Sequence, residues 1–442
     1  MNSTIPVNQR KLLLKKLLIT IKKYEKEVEL ALYKDFKKSA FETYLTEFNY
    51  VLSDLKHTIS NVDKWAKPKR VWPSIMTFPS SDFIYSEPYG RVLIIAPWNY
   101  PFQLAFSPLI AAIAAGNTVV LKPSELAFQT AQIITQIVEE VFDVKQAVVV
   151  HGGPEFTQSL LEQKWDYIFF TGSVPVGKII AQAAAKNLTP VTLELGGKNP
   201  CIIDEGADLE MAAKRIVWGK FLNAGQTCIA PDFIVIQAKE KYDFIELVKK
   251  EIQKAYGENP QESQDYPRII NSKNWKRLHD LIDSSIVLTG GICNENEKYI
   301  SPTLLDEPNL NSPIMQDEIF GPILPIISYH DEKELSKILI RYEKPLALYV
   351  FTKNKKFAEK IVTSFSFGGG CINDCMIHFA NKKLPFGGVG QSGIGAYHGK
   401  FGFDTFSHKK PILKKPNWGD NPIRYAPYKK KLNIVKKVLS WL

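Results

Sequence analysis

Between residues 92 and 195 short apolar runs alternate with helix-spaced segments, and this alternation restricts the fold more than any other feature. Residues 92–96, 118–121, 147–150, 167–170 and 191–195 read as strands. Residues 106–115, ended by Gly116-Asn117, then 125–142, a segment from Pro154, and the Ala-rich 176–186 read as the helices between them. Strands joined through helices make right-handed crossovers and so a parallel sheet. Such a sheet binds ligands beyond the carboxyl ends of its strands. After Gly196-Gly197 a second stretch of the same kind begins. It has strands at 201–203, 233–236, 323–327 and 346–351, and helices at 209–222, 242–256, 332–341 and 355–363. The expectation is two α/β domains with a cleft between them.

The flanks read differently. Residues 11–36 carry apolar side chains at helical spacing (Leu14, Leu17, Leu18, Ile21, Val28, Leu32), the pattern of an amphipathic surface helix, and 40–66 reads as a second helix. Residues 67–88 contain four prolines and a serine pair, which suits an extended arm or an oligomer contact. A chain of 442 residues buries a large core and divides into at least two domains.

Net charge is +10, but residues 409–442 hold ten Lys/Arg against the single acid Asp420, so the other 408 residues carry only +1. A nearly neutral body argues against nucleic acid as a partner. Five cysteines, odd in number and irregularly spaced, argue against a disulfide framework and for the reducing cytoplasm. Cys371 and Cys375 lack a second pair at zinc spacing, so no metal is expected. The N-terminus, charged from Arg10 onward, has no apolar signal core, and the apolar run 104–115 is too short to span a bilayer.

Chemistry-bearing residues fall where strands end. Pro97 and Pro101 stiffen the turn around Asn99, whose amide then suits an oxyanion; loss of one such donor typically costs about 10²–10³ in rate. A structural turn residue reads the same way. Lys122 suits a phosphate or ribose and Glu125 suits ribose hydroxyls, while Ser124 also reads as a helix cap. Gly172 to Lys178 has P-loop spacing, but Ile179 stands where the Mg²⁺-binding hydroxyl belongs, and no G-x-G-x-x-G occurs. What remains, with Val174-Pro175 unusual inside the loop, is a glycine-bounded helix start around Ser173 suited to a pyrophosphate. Glu194, in the run Leu193-Glu194-Leu195, is a carboxylate that burial would raise toward general-base range, or else a paired core residue. Cys228 follows Gly225-Gln226-Thr227 and precedes Pro231, an arrangement that presents a thiol to a cleft, although lone cysteines are commonly core residues. Glu318 beside Phe320, and Phe386 in the glycine-rich 383–393, complete the set.

Taken in order, Pro97-Trp98-Asn99, Lys122-Pro123-Ser124-Glu125, Phe170-Thr171-Gly172-Ser173, the run Leu193 to Lys198, Asn223-Ala224-Gly225-Gln226-Thr227-Cys228, the run Glu318 to Pro322, and the run Pro385 to Gly390 resemble the aldehyde dehydrogenases. Pro231-Asp232, Tyr397-His398-Gly399, Phe406-Ser407-His408 and Arg424-Tyr425-Ala426-Pro427-Tyr428 are similar to the class 3 branch, and the resemblance covers residues 85 to 410.

The resemblance implies an α/β fold: a Rossmann-like parallel-sheet cofactor domain, a second α/β catalytic domain and a small oligomerisation arm. The expected division is 1–66 with 90–195 for NAD(P), 196–397 for catalysis, 67–89 with 398–428 for the arm, and 429–442 as a basic amphipathic tail. It implies that Cys228 attacks the aldehyde, that Asn99 and the Cys228 N–H hold the oxyanion, and that Glu194 activates water on the thioester. Trp98, Lys122, Glu125, Gly172, Ser173, Gly177, Glu318 and Phe320 are the implied contacts to NAD or NADP, with Glu125 favouring NAD, and Phe386 an implied substrate contact. A homodimer is implied, and the tail, with apolar residues at 432, 435, 438, 439 and 442 between lysines, suits interfacial membrane contact. Local N–H donors are expected to favour the Cys228 thiolate without a histidine. The rival readings are a cysteine hydrolase using His151, His378 or His398, and a non-catalytic binding protein on the same fold.

Overall fold

The apolar runs form two largely parallel sheets. In the computed structural model, which describes residues 5–420, 422–429 and 431–440, the first sheet has the order Gly393–Ile394, Val191–Glu194, Tyr167–Thr171, Arg91–Ile95, Thr118–Lys122, Ala147–Val149. Only the pairing of Gly393–Ile394 with Val191–Glu194 is antiparallel. Val92, Leu93 and Ile94 are wholly buried, as expected of a strand covered on both faces. The chain enters mid-sheet and builds outward in both directions, so the order reverses between Arg91–Ile95 and Tyr167–Thr171. Such a reversal opens a crevice at the carboxyl ends, and Asn99 and Gly172 lie in the segments leaving those two strands.

The second sheet runs Val287–Thr289, Thr303–Asp306, Ile323–Tyr329, Phe233–Gln237, Pro200–Ile203, Ala347–Phe351, Gly369–Ile372, antiparallel only at its first pair. Cys228 and Glu318 precede the amino ends of its strands Phe233–Gln237 and Ile323–Tyr329. The site therefore lies between carboxyl ends of one sheet and amino ends of the other, not at carboxyl ends throughout. A third, antiparallel sheet joins Lys69–Val71, Ser81–Pro88 and Ser407–Lys414. Beside it Trp72, Ile75, Met76 and Phe78 are exposed.

Several elements differ from the sequence expectation. Residues 11–36 are two helices, Val7–Lys23 and Glu25–Phe36, broken at Tyr24. Residues 40–66 are Ala40–Thr43, a π-turn Tyr44–Phe48 and Asn49–Trp65. The wide turn adds a residue to the helical repeat, and Glu47 within it is wholly buried. The helix expected at 176–186 starts earlier, as Val174–Ala185. Pro175 is thus in the first helical turn, where a missing N–H leaves no bond unmade, and does not distort a loop. Leu432–Leu439 is helical, with Leu432 and Ile434 exposed and Val435 half-buried. Of the expected apolar tail positions, Leu442 and the side chains at 438 and 439 lie outside the described residues. Among the described residues no helix is long and apolar enough to cross a membrane.

Candidate active site

Cys228 is part-exposed at the wall of an apolar cavity of roughly 190 Å³. Its loop is fixed by groups from distant parts of the chain. Asn199 donates to the carbonyls of Cys228 at 2.7 Å and Ala230 at 3.1 Å, and accepts from the Ala347 N–H at 2.8 Å. The Tyr349 hydroxyl donates to the Ile229 carbonyl at 2.6 Å. Gln226, wholly buried, donates to the carbonyls of Asn223 and Arg268 and accepts from the Ile270 N–H, each at 3.1 Å. Every polar end of that side chain is satisfied inside the protein, which makes it a rigid spacer ahead of the thiol.

Asn99 reaches the same loop. Its Nδ2 donates to the Gln226 carbonyl at 3.0 Å, and its own carbonyl accepts from Asn223 Nδ2 at 2.8 Å. An amide nitrogen has two hydrogens, so one is left for a ligand. Glu194 ends its strand, lines the Cys228 cavity and is buried with neither carboxylate oxygen hydrogen-bonded. Burial holds its carboxyl well above the usual carboxylate range.

The thiol does not behave as expected from its N–H donors. Burial, then the carboxylates of Glu318 and Glu194, push the Cys228 thiol far up, and the N–H groups of Cys228 and Ile229 oppose this only in part. Desolvation and two nearby acids outweigh two backbone dipoles, so the environment favours the thiol over the thiolate. None of the three candidate histidines lines the cavity of Cys228. Burial, with Lys382 and His378, pushes His398 down to about 3, and burial pushes His378 down to about 4. His151 is exposed and bonded to Thr135 Oγ1 at 2.8 Å.

On the cleft's other side Glu318 is held well above the carboxylate range by burial and then by Asp232, against Arg277, Lys198 and Lys220. Its Oε1 is buried without a partner, and its carboxylate packs against Gly196, where a Cβ would stand 1.9 Å from Oε2. Lys198 pairs with Asp232 at 2.6 Å and donates to the Asp317 carbonyl at 3.0 Å; Asp232 accepts from the Ile319 N–H at 3.0 Å. This pair clamps the loop that carries Glu318 and Phe320. Phe320, at φ 51°, meets the Trp98 ring edge-on at 5.4 Å. Lys122 bonds Glu125 Oε2 at 3.0 Å. The helix Val174–Ala185 starts with no acidic residue and no side-chain cap from Ser173, while the Gly177 N–H bonds the Ser173 carbonyl at 2.9 Å. Free N–H groups at a helix start suit a pyrophosphate, and the unpartnered Glu318 oxygen suits ribose hydroxyls, so these residues fit a nicotinamide dinucleotide.

Phe386 is buried in the cavity wall, stacked on His398 at 5.1 Å. Sequence reasoning missed Asn199, Gln226, Asp232 and Lys198 as supports. It also missed Lys220, buried with no partner for Nζ and pushed down to about 8 by burial. Lys220 continues the buried helical stripe Ala213, Ile216, Val217, and a lysine on such a stripe is the signal that could have found it.

Two α/β sheets bringing together a part-exposed thiol, an amide donor, an unpaired buried carboxylate and residues that fit a nicotinamide dinucleotide define an oxidoreductase. The chain belongs to the aldehyde dehydrogenase family, whose model matches residues 2–412. It is 48% identical to the 4,4'-diaponeurosporen-aldehyde dehydrogenase of Staphylococcus aureus (strain NCTC 8325 / PS 47), over 98% of this chain and 95% of that one. It is 44% identical to the mouse (Mus musculus) "aldehyde dehydrogenase, dimeric NADP-preferring", over 91% of this chain and 89% of that one. The solved "Substrate bound state of Staphylococcus Aureus AldH" superposes with a TM-score of 0.97 at 47% identity, covering 99% and 96% of the two chains. The protein is an NAD(P)-dependent enzyme that oxidises aldehydes.

Proposed function

We propose that the enzyme converts medium- to long-chain aliphatic or aromatic aldehydes to carboxylic acids, with Cys228 as nucleophile, Asn99 as oxyanion donor and Glu194 as base. The observation that carries this is the cavity itself. Cys228 and Glu194 share its wall with Tyr50, Leu104, Trp218, Leu222, Ile229, Met376 and Phe386 among others, an almost wholly apolar lining. A carbonyl on an apolar chain fits such a tunnel with its reactive end at the thiol.

The Cys228 thiol releases its proton to solvent, and Sγ bonds to the aldehyde carbon as the carbonyl oxygen becomes an oxyanion. Asn99 Nδ2 and the Cys228 N–H hold that oxygen. A nicotinamide held by the cofactor-side residues would supply the acceptor for the hydride on this carbon. Once the resulting thioester stands on Cys228, Glu194 takes a proton from water, the hydroxide adds, and the C–S bond breaks to release the acid as Glu194 returns the proton to Sγ and restores the thiol. Glu194 suits both transfers because burial without a partner gives it the affinity of a base.

Glu318, Phe320 and Trp98 hold the nicotinamide ribose side, Gly172, Ser173 and Gly177 the pyrophosphate, and Lys122 with Glu125 the adenosine ribose. The Lys122–Glu125 bond at 3.0 Å supports NAD first and NADP second, since a carboxylate disfavours a 2′-phosphate. The domain division is 1–66 with 90–195, 196–397, and an arm of 67–89 with 398–428. The arm's exposed Trp72, Ile75, Met76 and Phe78 support a homodimer, as does the relative named as dimeric. Five free cysteines support a cytoplasmic location, and exposed Leu432 and Ile434 among lysines support peripheral membrane contact by the tail. The test is purified enzyme with NAD or NADP and aldehydes of increasing chain length, read as nicotinamide reduction. Catalytic efficiency is expected to rise with chain length; short aldehydes preferred over long ones would overturn the substrate reading.

A further inference from the structure

Three consecutive residues ahead of Cys228 are left-handed: Asn223 at φ 56°, Ala224 at φ 52° and Gly225 at φ 72°. Glycine takes this conformation freely and asparagine tolerates it, but Ala224 is strained by it. Strain of this kind persists only where surrounding structure holds it. For Asn223 the hold comes from far upstream. Its backbone N–H faces both carboxylate oxygens of Glu42, at 3.2 and 3.4 Å. The Asn223 side chain in turn donates to the carbonyls of Asn99 at 2.8 Å and Gln226 at 3.1 Å, and the Gln226 carbonyl also receives the Asn99 amide. Residue 223 thus links Glu42 to the loops of both the oxyanion donor and the thiol.

Glu42 itself is buried on the short helix Ala40–Thr43, where Ser39 Oγ accepts its N–H at 3.2 Å. It does not line the cavity, although Leu45 and Thr46 do. A buried carboxylate is unfavourable unless bonded, and the bond Glu42 makes is to the strained turn. We infer that Glu42 is a positioning residue whose carboxylate holds the left-handed turn at 223–225 in the shape that aims the Cys228 thiol into the cavity and fixes the Asn99 amide against the thiol's loop. The inference rests on Cys228 being the nucleophile. Lys38, Asp265 and Glu47 are the charged groups that act on Glu42. Burial pushes its carboxyl up to about 7, and the carboxylate and the carboxylic acid both keep an acceptor oxygen for the Asn223 N–H.

The test uses the full chain with NAD and decanal. The readouts are the pre-steady-state burst of reduced cofactor, KM for NAD, the rate of Cys228 alkylation by iodoacetamide, and circular dichroism as a check on folding. Glu42→Ala removes the acceptor and Glu42→Asp draws it back by one methylene. Both are expected to slow the burst by about 10- to 100-fold, with alkylation slowed in parallel and KM for NAD within about twofold, because small misplacements of reacting groups are costly. Glu42→Gln keeps an acceptor oxygen and is expected to stay within about threefold of the parent. Adding Ala224→Gly to Glu42→Ala is expected to recover part of the burst, since glycine accepts the left-handed turn unaided. A purely structural role for Glu42 predicts no such recovery. If Glu42→Ala fails to fold, the Asp and Gln variants decide the question. A folded Glu42→Asp that bursts at the parental rate overturns the inference, as does a folded Glu42→Gln as slow as the Asp variant, or a loss confined to KM for NAD. A burst retained by Cys228→Ala is a separate failure, of the nucleophile, and takes the inference with it.

Discussion

The hydroxyl of Tyr100 lies 2.7 Å from Oγ1 of Thr227, joining the residue after Asn99 to the residue before Cys228. Both side chains are buried at the cavity wall. Behind them the Lys38 ammonium sits 4.1 Å from the centre of the Tyr100 ring and pairs with Glu47 at 2.6 Å. The other Glu47 oxygen accepts the N–H groups of Phe102 and Gln103, at the start of the helix that follows Asn99. One buried polar frame therefore supports both reactive loops. Tyr100→Phe should leave the Thr227 hydroxyl unpaired and cost about 1–3 kcal/mol, measured by chemical denaturation. Its turnover number is expected to fall while KM for NAD holds.

Cys228→Ala is expected to abolish nicotinamide reduction. Glu194→Gln should give one burst of reduced cofactor and then stall, because the thioester forms but water is not activated. Stopped-flow absorbance distinguishes the two. Steady turnover in Glu194→Gln would move the base elsewhere, with Glu318 the next carboxylate in the cleft.

Gly196 lies two residues after Glu194 and packs against Glu318. A methyl group there would stand 1.9 Å from Glu318 Oε2, so Gly196→Ala should drive the Glu318 carboxylate away from the nicotinamide ribose. The expected result is KM for NAD raised about tenfold with a smaller change in the turnover number, the pattern of lost uniform binding. Steady-state kinetics at varied NAD would show it, and an unchanged KM would remove Glu318 from the cofactor contacts.

Acid should weaken the protein partly through His398. Burial, with Lys382 and His378, pushes it down to about 3 in the folded state, whereas an unfolded histidine titrates near its ordinary value. Between these values protons bind the unfolded chain better, so stability is lost as pH falls through that window, by up to about 1.4 kcal/mol per pH unit. Buried Glu42 and Asp54, pushed up to about 7 and 6, act in the opposite sense. The readout is therefore the difference between parent and His398→Asn in melting temperature across pH 7 to 4.5, and the variant's curve should be the flatter on the acid side.

The C-terminal tail should matter for location but not for chemistry. Deleting residues 429–442 is expected to reduce co-sedimentation with anionic vesicles, and added salt should reduce binding of the full chain likewise. Turnover of a water-soluble aldehyde should not change. Equal vesicle binding with and without the tail would count against an interfacial role.

Much of this site was legible because its chemistry is local. Asn99 and Glu194 follow or end apolar runs with a glycine or proline two residues away, and a run followed by a turn marks a strand end in any parallel sheet; Cys228 and Glu318 lie just ahead of their strands, each three residues from a glycine or proline. The supports were not legible, because they act across large separations: Asn199 on Cys228, Tyr349 on Ile229, Glu42 on Asn223. Nothing in Phe221-Leu222-Asn223-Ala224 announces two left-handed residues, since the sequence carries glycine only at 225. Strands such as Gly393–Ile394 and Cys293–Asn294 span two residues each, too short to show any period. The thiol was misjudged because its environment is set by burial and two carboxylates that only the folded chain brings together.

The strand that carries Glu194 has a late-arriving neighbour. Gly393 pairs with Glu194 and Ile394 with Leu193, and the Leu195 N–H donates to the Ser392 carbonyl at 3.1 Å. On a ribosome, then, the proposed base remains on an open sheet edge until residues 393 and 394 have been made. A prematurely stopped chain would own the thiol, the amide donor and the dinucleotide cleft, yet leave the last of its machinery unsealed. Aldehyde would meet a competent enzyme only once synthesis had passed residue 394.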